Sequence, residues 1–271
     1  MTSGITAGAI RVGVGGWTFE PWRGTFFPEK LPQKRELEFA SRALTAIEIN
    51  GTYYGSQKPE SFAKWRDEVP EDFVFSVKGP RFATNRRVLA EASDSIERFF
   101  DSGVLELKNK LGPINWQFLP TKRFDSDDFE AFLALLPAEI EGRSIRHVVE
   151  VRHESFAVPA FPELLRSYSV ATVLTDKPDF PTIPDVTAPF VYARLQQNSE
   201  AEPTGYPSDA LAGWAGRARL WAKGAQPTDL PWIGPALETT SAPRDVFIFF
   251  INGFKPKAPS AAQALLRQLA G

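Results

Sequence analysis

Arg146-His147-Val148-Val149-Glu150-Val151-Arg152-His153 is the run that decides the reading of this chain. Its apolar positions alternate as a buried strand requires, yet Glu150, Arg152 and His153 crowd its carboxyl end, where a core strand holds no charge without a reason. A catalytic strand has this form. A structural ion pair between Glu150 and Arg152, with His153 opening a loop, explains a single such run equally well. Recurrence of the pattern separates the two readings.

Upstream, apolar runs occupy Ile10 to Val14, Ala46 to Ile49, Phe73 to Val77 and Pro113 to Phe118. They end in Gly15-Gly16-Trp17-Thr18, Asn50-Gly51-Thr52-Tyr53-Tyr54, Lys78-Gly79-Pro80 and Gln117-Phe118-Leu119-Pro120. Downstream, Val170 to Leu174 ends in Thr175-Asp176, Phe190 to Leu195 in Gln196-Gln197, and Asp245 to Ile251 in Asn252-Gly253. With Ile145 to Val151 the strand-like runs number eight. Amphipathic spacing predicts helices over 33–43, 59–68, 94–107, 125–136, 161–168, 209–221 and 261–269. The proline-rich link 177–189 is expected to lack a full helix, and 224–243, also proline-rich and without period, reads as an insertion loop before the last strand.

Eight strands separated mostly by helices, without the tight Asn-Gly turns of hairpins, imply a parallel sheet. The fold expected is α/β, a single (β/α)₈ TIM-barrel-like domain over residues 1–271, a length that suits barrels of about 250 residues. An open doubly wound sheet would need a Gly-x-Gly-x-x-Gly turn; Gly13-Val14-Gly15-Gly16 is too short and leads into Trp17, so no dinucleotide site is expected.

In a barrel the outward face packs on helices and is apolar, which assigns the inward face. Ala46, Glu48 and Asn50 point inward on the second strand, Val74, Ser76 and Lys78 on the third, Asn115 and Gln117 on the fourth, and Val148, Glu150 and Arg152 on the fifth. Tyr192, Arg194 and Gln196 do so on the seventh, and Ile248, Phe250 and Asn252 on the eighth, with Asp176 ending the sixth; His147 faces outward. Polar groups therefore gather at the carboxyl ends, where barrel enzymes build their sites. The six charged groups are Glu48, Glu150 and Asp176 against Lys78, Arg152 and Arg194. They make either a closed ion network or a ligand site, since buried charge persists only when paired or ligand-bound.

With Arg81 and Lys255 adding positive charge at the rim, a ligand with an anionic group is expected, guanidinium forks being suited to carboxylate and phosphate. Trp17, Tyr53, Tyr54 and Phe156 offer stacking surfaces for a carbohydrate, or simply packing. Glu48 and Glu150 are candidates for general acid and base or for a nucleophile, in hydrolysis among other reactions, and His153 is a second candidate base. No cofactor is expected. Two histidines do not make a His-rich metal centre, which leaves a Mg²⁺ or Mn²⁺ site through Glu48, Glu150 and Asp176 as the metal alternative.

Composition narrows the class. A hydrophobic fraction of 43%, with 22 Phe and 7 Trp, supports a sizeable core. Thirty-one basic residues against 33 acidic ones leave a formal charge of −2, so nothing attracts nucleic acid or anionic membrane globally. The absence of cysteine excludes disulfides, thiolate nucleophiles and Cys-ligated metals. Neither a signal-like start nor a run of about 20 apolar residues is present, so the cytoplasm is the expected location, with no membrane partner.

Gly15-Gly16-Trp17 with Trp22-Arg23-Gly24 and Phe27-Pro28, then Glu48-Ile49-Asn50-Gly51-Thr52-Tyr53-Tyr54, then Phe75-Ser76-Val77-Lys78-Gly79-Pro80-Arg81-Phe82 form an ordered set of blocks. Lys110-Leu111-Gly112-Pro113 with Gln117, Val149-Glu150-Val151-Arg152-His153 and Phe190-Val191-Tyr192-Ala193-Arg194-Leu195 continue it. The set resembles the YecE-like family, a domain of unknown function, over nearly the whole chain. The resemblance implies a TIM-barrel-like fold and a pocket built from Glu48, Lys78, Gln117, Glu150, Arg152, Asp176 and Arg194, and it brings no reaction. The chain departs from the family pattern twice at the site. Arg194-Leu195-Gln196-Gln197 stands where the family usually reads Arg-Leu-His-Gly, and Ile251-Asn252-Gly253-Phe254-Lys255 lacks the family's aspartate. These departures suggest a shifted substrate or lost ancestral chemistry.

The leading functional reading is thus an acid–base enzyme acting on a small polar ligand with an anionic group. The alternative is a non-catalytic binder of phosphate, another anion or nucleic acid through Lys78, Arg81, Arg152 and Arg194; near-neutral charge and a concave site favour the small ligand. A structural or interaction role resting on Trp232 in the 224–243 loop comes third.

Overall fold

Strand-forming runs and the helices between them close on themselves in the computed structural model, which describes residues 7–235 and 242–271. The barrel strands are β1 (Ile10–Gly15), β2 (Ala46–Ile49), β3 (Val74–Lys78), β4 (Leu111–Gln117), β7 (His147–Glu150), β8 (Ala171–Thr175), β9 (Phe190–Leu195) and β10 (Asp245–Phe250). All neighbours pair in parallel, in the order β1-β10-β9-β8-β7-β4-β3-β2. The eight-stranded TIM-barrel-like architecture read from the sequence is the one observed.

The helices are α1 (Glu36–Ala43), α2 (Pro59–Glu68), α3 (Arg81–Thr84), α4 (Ser93–Asp101), α5 (Ser126–Ala134), α6 (Ala160–Ser167), α7 (Ser208–Ala222) and α8 (Ala258–Ala270). Asp125 starts α5 as its cap, accepting a hydrogen bond from the Asp128 amide at 3.0 Å. The helix expected over 94–107 is shorter, because Gly103 at φ +94 ends it, and Val104–Lys110 continues as 3-10 turns. No helix links β8 to β9, as the proline-rich link leads one to expect.

Strand five begins two residues later than its apolar run. Just before it stands an unforeseen hairpin of β5 (Glu139–Ile140) and β6 (Arg143–Ser144). Glu141 and Gly142 both take positive φ at its turn, the geometry that two-residue hairpins favour. A polar Glu-Gly pair gives that turn only a faint signal.

Alternation sorts the strand residues into two layers. Val12, Val14, Ile47, Ile49, Phe75, Val77, Ile114, Trp116 and Val149 join the outer core beneath the helices. Ala46, Val74, Val148, Ala171, Val173, Phe190, Tyr192, Phe247, Phe249 and Ile251 form an inner one. The last strand corrects the sequence expectation: Phe247, Phe249 and Ile251 point inward, while Ile248 and Phe250 pack on the helices. Val-Phe-Ile-Phe-Phe-Ile has no polar residue to reveal its parity, so alternation alone could not choose a face. On β1 the inward positions include glycine. A Cβ on Gly13 would lie 1.8 Å from the Ala46 carbonyl oxygen, so only glycine lets β1 and β2 approach there.

The two irregular segments brace each other. Buried Asp185 of the first link pairs with Arg166 at 3.3 Å and accepts from the amides of Ile233 (3.0 Å) and Gly234 (2.8 Å) in the second. Trp232 is half-buried against the core there, so the described part of the 224–243 loop is docked to the barrel; residues 236–241 of that loop lie outside the described residues. Among the described residues no helix is long and apolar enough to cross a membrane.

Candidate active site at the carboxyl end of the barrel

Above the inner apolar layer the strands deliver charge. Glu48 of β2 and Glu150 of β7 are buried, and the guanidinium of Arg194, from β9 and only 2% exposed, bridges them. Its Nη2 donates to Glu48 Oε1 at 3.0 Å and its Nη1 to Glu150 Oε2 at 2.5 Å. The Asn115 amide, from β4, also spans the pair, donating to Glu48 Oε2 at 3.3 Å and Glu150 Oε2 at 3.4 Å. Tyr192 donates its hydroxyl to Glu48 Oε2 at 2.6 Å, and Arg152 donates Nε and Nη2 to Glu150 Oε1 at 2.9 and 2.6 Å. Arg152 in turn rests 4.8 Å from the ring centre of Phe180, contributed by the β8–β9 link.

These contacts set the charge states. Burial pushes the Glu150 carboxyl up, but Arg194, Lys78 and Arg152 together outweigh it and hold it down at about 2. Glu48 is likewise held below the usual carboxylate range against its burial, by Arg194, Lys78 and the Tyr192 hydroxyl. Both are fixed negative charges near neutral pH. Tyr192 is driven well above an ordinary phenol by burial and by the Glu48 charge. Held ionised, neither carboxyl is suited to the general-acid half of the pair of roles its sequence positions suggested, and both are occupied by donors of the barrel itself.

Lys78, ending β3, stands apart from this network. It is 5% exposed, and its amine donates to the Gln117 side-chain oxygen in a short contact, 5.4 Å from the Tyr53 ring centre. Among the described residues no carboxylate lies within ion-pair range of it, and both nearby acids pair instead with Arg194 and Arg152. Burial and the Arg194 charge lower its pKa to about 8, against the pull of Glu150 and Glu48. The Thr52 hydroxyl fixes the strand end by donating to the Lys78 carbonyl at 2.7 Å.

Lys78 opens onto a cavity of roughly 250 Å³ whose wall also includes Asn50, Tyr53, Tyr54, Gln117 and Asn252. Gly15 keeps it open: a Cβ there would sit 2.8 Å from the Asn50 amide nitrogen and 3.1 Å from Ile251. Lys255 completes the wall, its amine 4.6 Å from the Phe19 ring centre and its pKa lowered by burial. Lys78 and Lys255 are the charged groups of that wall.

Other expected site residues lie elsewhere. Trp17 packs edge-on against Trp65 at 5.1 Å and against Phe75, under the helices. Phe156 is buried among Phe124, Phe129 and Phe161. His153 caps the turn after β7, its Nδ1 accepting from the Ser155 amide at 3.0 Å, and Nε2 faces Arg123 at 3.5 Å. Asp176 does not join Glu48 and Glu150: it accepts from the Tyr206 hydroxyl at 2.6 Å and the Gln196 amide at 2.7 Å, and burial raises its pKa. Among the described residues no group of three carboxylates or imidazoles comes together. Arg81 is exposed at the rim, stacked 5.8 Å from the ring of exposed Tyr54. Gln196 and Gln197, where a titratable group was the family expectation, tie the end of β9 to that of β8 through Thr175 Oγ1 and the Asp176 carbonyl. The roles of Asn115 and Tyr192 went unread, although their inward parity was legible.

The fold and this buried polar layer define a TIM barrel with a charged carboxyl-end mouth; comparison with known proteins adds the family and supports the fold. Residues 11–271 match the family described as "Protein of unknown function DUF72", and the chain belongs to it. The Bacillus subtilis (strain 168) UPF0759 protein YunF is 27% identical over 195 residues, spanning 70% of this chain and 67% of that protein. The Escherichia coli (strain K12) UPF0759 protein YecE is 31% identical over 123 residues, 44% of this chain and 42% of that one. A DUF72 family protein from Thermotoga maritima shares the fold at a TM-score of 0.73 and 23% identity, covering 97% of this chain and 100% of its own.

Proposed function

We propose that the mouth of the barrel is an acid–base catalytic site for a small polar substrate carrying an anionic group, with hydrolysis among the reactions such a site can perform. The observation that carries this reading is the sorting of charge: the cavity wall presents Lys78 and Lys255, while Glu48 and Glu150 are withdrawn onto Arg194. Lys255 pairs with the anionic group. Lys78, titrating at about 8, exchanges the proton, and the two fixed carboxylates stabilise the positive charge it acquires. A screen of small phosphorylated and carboxylated metabolites tests this. Lys78→Met should cost about a hundredfold or more in turnover with the fold kept; full activity in that variant would contradict the assignment.

A second reading has its own support. Beside the mouth, the loops after β3 and β4 form an open cleft of about 750 Å³ lined by Arg86, Arg87, Lys122 and Arg123. Lys122 is spent on Asp128 at 2.6 Å, but Arg87 and Arg123 are exposed. Such a cleft suits a phosphate-rich ligand, nucleic acid included. Oligonucleotide binding through it should weaken steeply with salt; affinity that is absent or independent of salt would exclude it.

A further inference from the structure

We propose that Lys78 is an imine-forming lysine, its amine condensing with the carbonyl of a small aldehyde or ketone that bears a carboxylate or phosphate. This rests on the reading of the mouth as an anion-accepting site and names its substrate class.

The argument begins with what a buried amine lacks. Lys78 has a neutral amide, Gln117, as its hydrogen-bond acceptor, and both carboxylates facing it are held by Arg194, Arg152, Asn115 and Tyr192. Burial and the Arg194 charge disfavour a proton on Nζ by more than the carboxylates restore, so the free, nucleophilic amine is accessible, as for other desolvated lysines beside a cation. With a pKa of about 8, Lys78 carries about two hundred times more free amine near pH 7.5 than an ordinary lysine.

The surroundings suit what the amine would become. A protonated imine carries its positive charge on the same nitrogen, and Glu48 and Glu150 favour that charge at long range. Held far down, they are poor at removing its proton. Gln117 is placed to hold the hydroxyl of the addition product, and Lys255, on the same wall, to hold the anionic group. The step balances without an oxidant. The amine lone pair bonds to the carbonyl carbon, the C=O π pair moves to oxygen, and that oxygen takes the amine proton. A second proton from solvent lets it leave as water, giving the iminium; hydrolysis reverses the sequence.

The test uses the full-length protein with pyruvate or dihydroxyacetone phosphate in the presence of cyanoborohydride, read by intact mass and peptide mapping. The expected result is one reduced adduct, at Lys78, formed far faster than at exposed Lys34, and absent from Lys78→Arg, which keeps the charge but not the nucleophile. If that variant fails to fold, protection replaces it: lactate and glycerol 3-phosphate, which cannot condense, should suppress labelling of Lys78 and leave Lys34 unchanged. No adduct, or one spread over surface lysines with Lys78 no faster, overturns the proposal. Calorimetry with the same two non-carbonyl analogues separates the failures. Binding without trapping sinks the imine and leaves the anion site standing, absence of both sinks both, and trapping at Lys78 without their binding supports the imine against the anionic group.

Discussion

The two ends of this barrel each place an arginine beside a carboxylate, and they do so in opposite ways. At the amino end Arg146 meets Asp245 at 2.9 Å, with the two side chains 31% and 40% exposed, and the guanidinium lies over Phe247. Asp245 also accepts from the Ala9 amide at 2.9 Å, which ties the first strand down. Both side chains keep contact with solvent, which screens the pair, although burial still lowers the Arg146 pKa. At the carboxyl end Arg194 and two carboxylates are removed from water altogether. Such a cluster carries a large desolvation penalty, offset here by dense hydrogen bonding that still leaves the buried Arg194 Nε and Asn115 Oδ1 without a partner. The pair at the bottom keeps its contact with solvent, whereas the charge at the top is buried, and the proposed ligand site gives that burial a role.

Breaking the comparison at its strong side should have the largest effect. Arg194→Met strands Glu48 and Glu150 without their shared cation and should cost about 3–5 kcal/mol in urea unfolding, or prevent folding at neutral pH.

Next come two pH-dependent limbs. Lys78 is depressed from 10.5 to about 8 in the folded state, so between these values the unfolded chain binds more protons. Stability should therefore rise with pH across that window, by up to about 1.4 kcal/mol per unit, and Lys78→Met should flatten the rise. Glu150 is depressed from 4.5 to about 2, so its contribution is complete above 4.5 and is lost as the pH falls toward 2; Glu150→Gln should flatten that acid limb. The smallest effect belongs to the amino end, where Arg146→Met should cost no more than about 1 kcal/mol.

The fold was legible because most of the strands carry polar residues on their inward face, which fixes parity as soon as the outer face is known to be apolar. Glu48, Lys78, Glu150 and Arg194 could be placed inward on that ground alone. The last strand was not legible, since aromatic and aliphatic residues on both faces satisfy either register. Of the six charged groups assigned to the mouth, Glu48, Glu150, Arg152 and Arg194 close into a network, Lys78 is left over, and Asp176 belongs to a tyrosine of another loop. That division depends on which side chains reach which across the barrel, and no spacing along the chain encodes it. His153 shows the same limit: a histidine after a strand end reads as a base, but its ring nitrogen was needed to cap a turn.

Lys78 decides the account. Direct titration of its side chain, by NMR of protein carrying isotope-labelled lysine with Lys78→Arg to assign the resonance, should give a midpoint near 8. A midpoint at the ordinary 10.5 would mean that the amine is fully compensated where it lies, and the mouth of the barrel would then be the closed ion network that its charges could also have formed.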